Sequence, residues 1–184
     1  MSDTHNLDQH DQMAVRREKL KTWRSQQQAF PQGIKPSACC KDILEAFKDF
    51  DSEQCLKDPK TFTLCGRIRT QRIMGKASFV HLQDHSDRLQ LYLRKQDLNE
   101  GEYDHFKTWD LGDIIAATGY VFRTKSGEIS LHCKSVQLLS KCLHPMPDKF
   151  HGLEDVELRY RQRYLDLIYN QQSKEVFKKR SCII

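Results

Sequence analysis

The sequence has 184 residues (21.7 kDa), with 30 Lys and Arg against 25 Asp and Glu and a net charge of +5. That length accommodates one medium domain or two small modules, not a large multidomain machine. With 38% hydrophobic and 30% charged residues and a mean hydropathy of -0.72, the chain has no stretch near the roughly 20 apolar residues a spanning helix needs.

Residues 1–10 read as a disordered tail. From Met13 to Phe30 there is no Gly or Pro until Pro31, and Met13, Leu20, Trp23 and Phe30 fall at helical spacings, so a helix is expected there. A second helix is expected from Ser37 to Phe50, with Ile43, Leu44, Phe47 and Phe50 on one face. From Thr61 the period changes to two. In Thr61–Arg69 the apolar positions are 62, 64 and 68, and Arg67 and Arg69 point the other way. After a turn at Met74-Gly75-Lys76, a second strand over Ser78–Gln83 sets Val80 and Leu82 against Phe79, His81 and Gln83. The third strand alternates Arg88, Gln90 and Tyr92 against Leu89, Leu91 and Leu93. Residues 97–109 read as a short helix, Asp113–Thr124 as a fourth strand and Glu128–Leu139 as a fifth. The phase of the fifth slips between Cys133 and Val136, which predicts a bulge. Three strands, a helix and two strands is the order of a five-stranded, mainly β Greek-key barrel of OB type, here preceded by N-terminal helices.

The start Met1–Asn6 lacks the charged region and apolar run of a secretory signal, so a cytoplasmic protein with no membrane partner is expected. Seven cysteines (39, 40, 55, 65, 133, 142 and 182) include an adjacent pair and no C-x-x-C, a pattern of reduced thiols and not of zinc ligands. His81 and His85 flank a strand end without a helical ligand setting, and no metal site is expected. The positive excess is concentrated in residues 60–142, with 13 Lys and Arg against 9 Asp and Glu. A nucleic-acid partner is compatible with that balance. On the first helix, Arg16, Arg17, Lys19, Lys21 and Arg24 read equally as a solvated face or as one that tracks phosphates.

Strand alternation is more informative. If Val80, Leu82, Leu89, Leu91 and Leu93 fill the barrel, then Phe79, His81, Gln90, Tyr92, Arg67 and Arg69 share its outer surface. An aromatic ring among amides and guanidinium groups suits base stacking, base-edge reading and phosphate contact. Alternation alone leaves open whether Phe79 does this or packs beneath the N-terminal helices. Glu128 would repel phosphate, yet it offers an acceptor for a base N–H.

Several runs carry a family resemblance: Arg72–Phe79, Leu82-Gln83-Asp84, Leu89–Tyr92, Asp110–Ile115, Thr124–Glu128, Pro147–Leu153 and Glu157–Ile168. Over residues 13–184 the chain resembles the N-terminal region of bacterial-type class II lysyl-tRNA synthetases. The resemblance implies an anticodon reader of lysine-acceptor tRNA, in which Phe79 stacks on the central uridine and Gln90, Arg72 and Glu128 contact anticodon bases. His81 and Tyr92 join this set by alternation only.

The resemblance also implies a domain order: N-terminal tail and helices over 1–59, the OB domain over 60–142, a hinge over 143–170 and the first class II motif helix from 171 to 184. The full-length family members are homodimers that use ATP and magnesium to attach lysine to tRNA. The second and third class II motifs are not in this sequence, so no catalytic residue and no cofactor is expected in it. The helix face of Val176, Phe177, Arg180, Ile183 and Ile184 has no evident partner, and residues 143–184 are expected to be largely unfolded or self-associating. The other reading is a free-standing OB module for RNA or single strands; a protein–protein OB module is the third. The Arg159–Ile168 run argues against the free-standing module, which needs no synthetase hinge, and weak salt dependence with any RNA would favour the protein–protein module.

Overall fold

The computed structural model describes residues 9–26, 29–57, 59–146 and 155–184. The chain divides into two compact units, 1–145 and 146–184, each of which has its own internal architecture.

In the first unit, α1 (Gln9–Gln26), α2 (Cys40–Ala46) and α3 (Ser52–Lys57) precede five strands: β1 (Thr61–Met74), β2 (Ala77–Gln83), β3 (Arg88–Arg94), β4 (Ile114–Arg123) and β5 (Ile129–Ser140). A short helix, α4 (Glu102–Phe106), lies between β3 and β4. The strands close into a barrel in the order β1-β2-β3-β5-β4, with β3 and β5 parallel and the other pairs antiparallel. This is the expected five-stranded OB-type barrel. Leu64, Ile68, Val80, Leu82, Leu89, Leu91, Leu93, Ile115, Val121 and Leu131 fill its interior, each at most 2% exposed. Tyr103 and Phe106 of α4 join that core, and the Tyr103 hydroxyl donates to the Gly75 carbonyl at 2.9 Å.

The β5 bulge falls where the hydrophobic phase slips. Thr118 pairs with Ser135 but Gly119 pairs with Cys133, leaving Lys134 as the extra residue. Backbone approaches so closely there that a Cβ on Gly119 would stand 2.0 Å from the His132 carbonyl oxygen. A second bulge lies in β1, between Ile68 and Thr70.

The helices differ more from expectation. α1 begins at Gln9, inside the expected tail, and ends before Phe30, which adopts a left-handed φ of 58° ahead of Pro31. A residue before proline is kept out of the right-handed helical region, so the helix cannot run through Phe30. The expected Ser37–Phe50 helix is only Cys40–Ala46, and α3 follows it separately. α3 starts on a reciprocal cap: the Gln54 amide donates to Asp51 Oδ1 at 2.7 Å, and Gln54 Oε1 accepts from the Asp51 amide at 2.9 Å. The expected 97–109 helix shrinks to five residues, entered through Gly101 at φ 80°.

Polar side chains anchor the helical segments of the first unit. Asp84, in the β2–β3 turn, accepts from the Cys40 amide at 2.7 Å and so satisfies the start of α2. Arg123 of β4 donates to the carbonyls of Phe47, Lys48, Phe50 and Gly127. On α1, Arg16 donates to the carbonyls of Leu111 and Cys142, and Lys19 pairs with Asp110 at 2.7 Å. Those two cations of the α1 cluster are therefore structural, while Arg17, Lys21 and Arg24 remain exposed.

The second unit contains α5 (Val156–Arg161), α6 (Arg163–Tyr169) and α7 (Gln171–Ile183). Where residues 143–184 were expected to be largely unfolded or self-associating, the described residues 155–184 form three helices, the first and third with side-chain caps. Asp155 accepts from the amides of Glu157 and Leu158, and Asn170 from that of Ser173. The fully buried Asp166 holds α5 and α6 together through Arg159 Nε at 2.8 Å and Arg163 Nη1. Val176, Ile183 and Ile184 are exposed. Among the described residues no helix is long and apolar enough to cross a membrane.

Candidate nucleic-acid interface

The outer face of β1, β2 and β3 carries most of the singled-out residues, and register explains which ones meet. Phe79 pairs with Tyr92 and His81 with Gln90 across β2–β3. On β1, residues 64, 66 and 68 are buried, so unbroken alternation would turn Thr70 and Arg72 inward. The bulge at Arg69 reverses the phase: Thr70 pairs with His81 and Arg72 with Phe79. Arg72 thereby reaches the Phe79 face, exposed and with no hydrogen-bond or ion-pair partner among the described residues.

The aromatic floor is larger than alternation indicated. The Phe79 and Tyr92 rings lie 4.9 Å apart at 33°. Tyr92 also meets Phe122 at 5.7 Å and His132 at 5.2 Å, and His132 stacks on Tyr120 at 4.9 Å. His132 is held at both nitrogens, with the Tyr120 hydroxyl 2.9 Å from Nδ1 and Asp97 Oδ2 2.8 Å from Nε2. A carboxylate only accepts, so in the neutral ring Nε2 carries the proton and Nδ1 accepts from Tyr120. Burial, reinforced by the Asp97 charge, pushes the Tyr120 hydroxyl pKa up, which keeps it a donor.

Beside the rings lies a polar chain. Gln90 Nε2 donates to Glu128 Oε2 at 2.7 Å, and the Ser130 hydroxyl donates to Gln90 Oε1 at 2.9 Å. The other Glu128 oxygen lies 3.3 Å from His81 Nε2, and His81 Nδ1 lies 2.6 Å from the Thr70 hydroxyl. Glu128 is fixed at the β4–β5 turn by its own amide, which donates to Thr124 Oγ1 at 3.0 Å. A half-exposed ring thus stands next to an amide donor and a carboxylate acceptor, the equipment for stacking a base and gripping its edge.

Phe79, Gln90, Glu128, Arg72, His81 and Tyr92 therefore share one surface. Arg67 does not join them: it donates through Nη1 to the Gly112 carbonyl at 2.6 Å, toward the loop before β4. Arg69 is the bulge residue, with its Nη1 buried. Thr70, Tyr120, Phe122, Ser130 and His132 belong to the site without having been singled out in the sequence. Tyr120 and Phe122 flank inward Val121, a legible alternation; Thr70 depends on the bulge. No cluster of three His, Cys, Asp or Glu side chains that could hold a metal ion occurs among the described residues.

Residues 62–139, the barrel that carries this face, match the tRNA anticodon family, described as an OB-fold nucleic acid binding domain. The barrel is thus of the tRNA anticodon type, and nearly the whole chain is similar to lysine–tRNA ligases. It is 49% identical over 179 residues to the lysine–tRNA ligase of Serratia proteamaculans, covering 97% of this chain and 35% of that protein. The heat-inducible lysine–tRNA ligase of Escherichia coli K12 gives the same identity and coverage. The lysine–tRNA ligase of Mannheimia succiniciproducens is 46% identical over 187 residues, covering 100% of this chain and 37% of that protein. The chain thus spans about a third of the length of these relatives.

Proposed function

We propose that this chain reads the anticodon loop of lysine-acceptor tRNA as part of a lysine–tRNA ligase that joins lysine to tRNA at the expense of ATP. The observation that carries the proposal is the Phe79 ring beside the Gln90–Glu128 donor–acceptor pair, on the outer face of an anticodon-type OB barrel. A loop base stacks on Phe79 with its edge toward Gln90 and Glu128, while Arg72 meets a base or phosphate nearby. Similarity extending across 97% of the chain, well beyond residues 62–139, favours this over a free-standing OB module.

On this reading 60–142 is the anticodon domain, 1–59 supports it, 143–170 is a hinge and 171–184 opens the first class II motif. ATP, magnesium and dimerisation belong to the whole ligase, working in the cytoplasm, and no step of that chemistry is assigned to residues of this chain. The test is fluorescence anisotropy with a lysine-tRNA anticodon stem-loop at low and physiological salt. The reading expects affinity that falls with salt and is weakened by Phe79→Ala by about 1–3 kcal/mol. Undiminished binding by Phe79→Ala contradicts it.

A further inference from the structure

Glu128 splits its two oxygens between two side chains on different strands. Oε2 faces Gln90 Nε2 at 2.7 Å, and Oε1 faces His81 Nε2 at 3.3 Å. His81 is in turn held from its other nitrogen by Thr70, whose Oγ1 is 2.6 Å from Nδ1. Only one neutral tautomer satisfies all of this. An ionised carboxylate cannot donate, so the Glu128 contact needs a proton on Nε2, and Nδ1 must then accept the Thr70 hydroxyl proton. The β1 bulge supplies this arrangement, because it places Thr70 opposite His81.

We infer that His81 is a positioning residue for base discrimination: it holds Glu128 so that Oε2, rather than Oε1, is presented beside Gln90 to the base edge. This rests on the anticodon reading above and adds to it a role exerted through Glu128, not by contact with the base. Without His81 the carboxylate is restrained through Oε2 alone and pivots about that contact, and an acceptor that pivots discriminates poorly between a base that donates from its ring N3–H and one that donates only from an exocyclic amine. Gln90 is restrained in parallel, since Ser130 fixes its amide oxygen and leaves its Nε2 toward Glu128. Thr70, His81, Glu128, Gln90 and Ser130 therefore form one relay that orders both halves of a donor–acceptor reader before RNA arrives.

The test measures the affinity ratio between anticodon stem-loops with uridine and with cytidine at the central position. It compares the parent chain with His81→Phe, His81→Gln, Glu128→Gln and the His81→Phe/Glu128→Gln double variant. His81→Phe keeps a ring but no donor, and should lower the ratio about three- to tenfold, the loss of one modest hydrogen bond. His81→Gln restores a donor to Glu128 and should return the ratio most of the way to the parent. The double variant should be no worse than Glu128→Gln alone, because both act on one unit. A parental ratio in His81→Phe, or additive losses in the double variant, overturns the inference while leaving the anticodon reading intact. A parent chain with no uridine preference overturns both. In RNA-free protein, nitrogen-15 imidazole spectra should show the Nε2–H tautomer of His81; the Nδ1–H tautomer overturns the inference irrespective of how the variants fold.

Discussion

At the scale of single residues, the guanidinium groups divide by what already occupies them. Arg67 is committed to the Gly112 carbonyl, Arg123 to four carbonyls and Arg16 to two, whereas Arg72 stands exposed beside Phe79. Arg72→Ala should therefore reduce the salt slope of stem-loop binding by about 1, the signature of one lost phosphate contact. Arg67→Ala should leave that slope unchanged and instead lower the thermal midpoint. The reverse pattern in a salt titration would place the RNA elsewhere on the barrel. Asp84 gives a pH prediction. Burial alone would raise its carboxyl, but hydrogen bonds from Ser86 and from the amides of Cys40, Asp87 and Ser86 outweigh it and hold the pKa at about 2. An unfolded Asp titrates near 3.9, so the ionised native form binds fewer protons than the unfolded chain does. The stabilisation is complete above about pH 4 and is lost as pH falls toward about 2. Thermal melts of parent and Asp84→Asn should differ at neutral pH, and the gap should close across that window.

At the scale of elements, legibility followed apolar content. β2 and β3 were readable residue by residue, because Val80 and Leu82, and Leu89, Leu91 and Leu93, fall at every second position with His81, Gln90 and Tyr92 between them. The β5 bulge was readable because buried residues on both sides of it, Cys133 and Val136, record the slip. The β1 bulge was not, since Arg69-Thr70-Gln71-Arg72 is polar on both faces and carries no phase. Much of the candidate site was nonetheless legible: Phe79, His81, Gln90 and Tyr92 came from alternation, but Thr70 depended on the β1 bulge and Ser130 and His132 on the β3–β5 pairing that closes the barrel. The helices suffered from local competition. Asp51-Ser52-Glu53-Gln54 carries a cap signature just beyond the end of the helix expected over Ser37–Phe50, so α3 went unread, and Gly101 delays α4. Gly119 supplies the test at this scale. Gly119→Ala drives a methyl into backbone that cannot retreat, and should cost about 1–3 kcal/mol in denaturant unfolding. A neutral substitution would mean that the β4–β5 pairing is looser than described.

At the scale of the whole molecule, the two units have separate interiors and should answer separately to damage. Burial alone would raise the Asp166 carboxyl, yet hydrogen bonds from Arg159, Ser173 and Arg163 hold its pKa below the ordinary value. Removing it by Asp166→Ala strands two arginines and should strip hydrogen-exchange protection from α5–α7. Protection over β1–β5 should persist; its loss would show that the units fold as one. The central claim is spatial, that the anticodon loop lies on the outer face of β1–β3. Nitrogen-15 chemical-shift mapping of the full chain, titrated with the lysine-tRNA anticodon stem-loop, tests it most directly. The account predicts the largest shifts at Phe79, His81, Gln90, Tyr92 and Glu128, with Arg72 following. Shifts concentrated on α1 or around Arg67, with the Phe79 face unmoved, would contradict it.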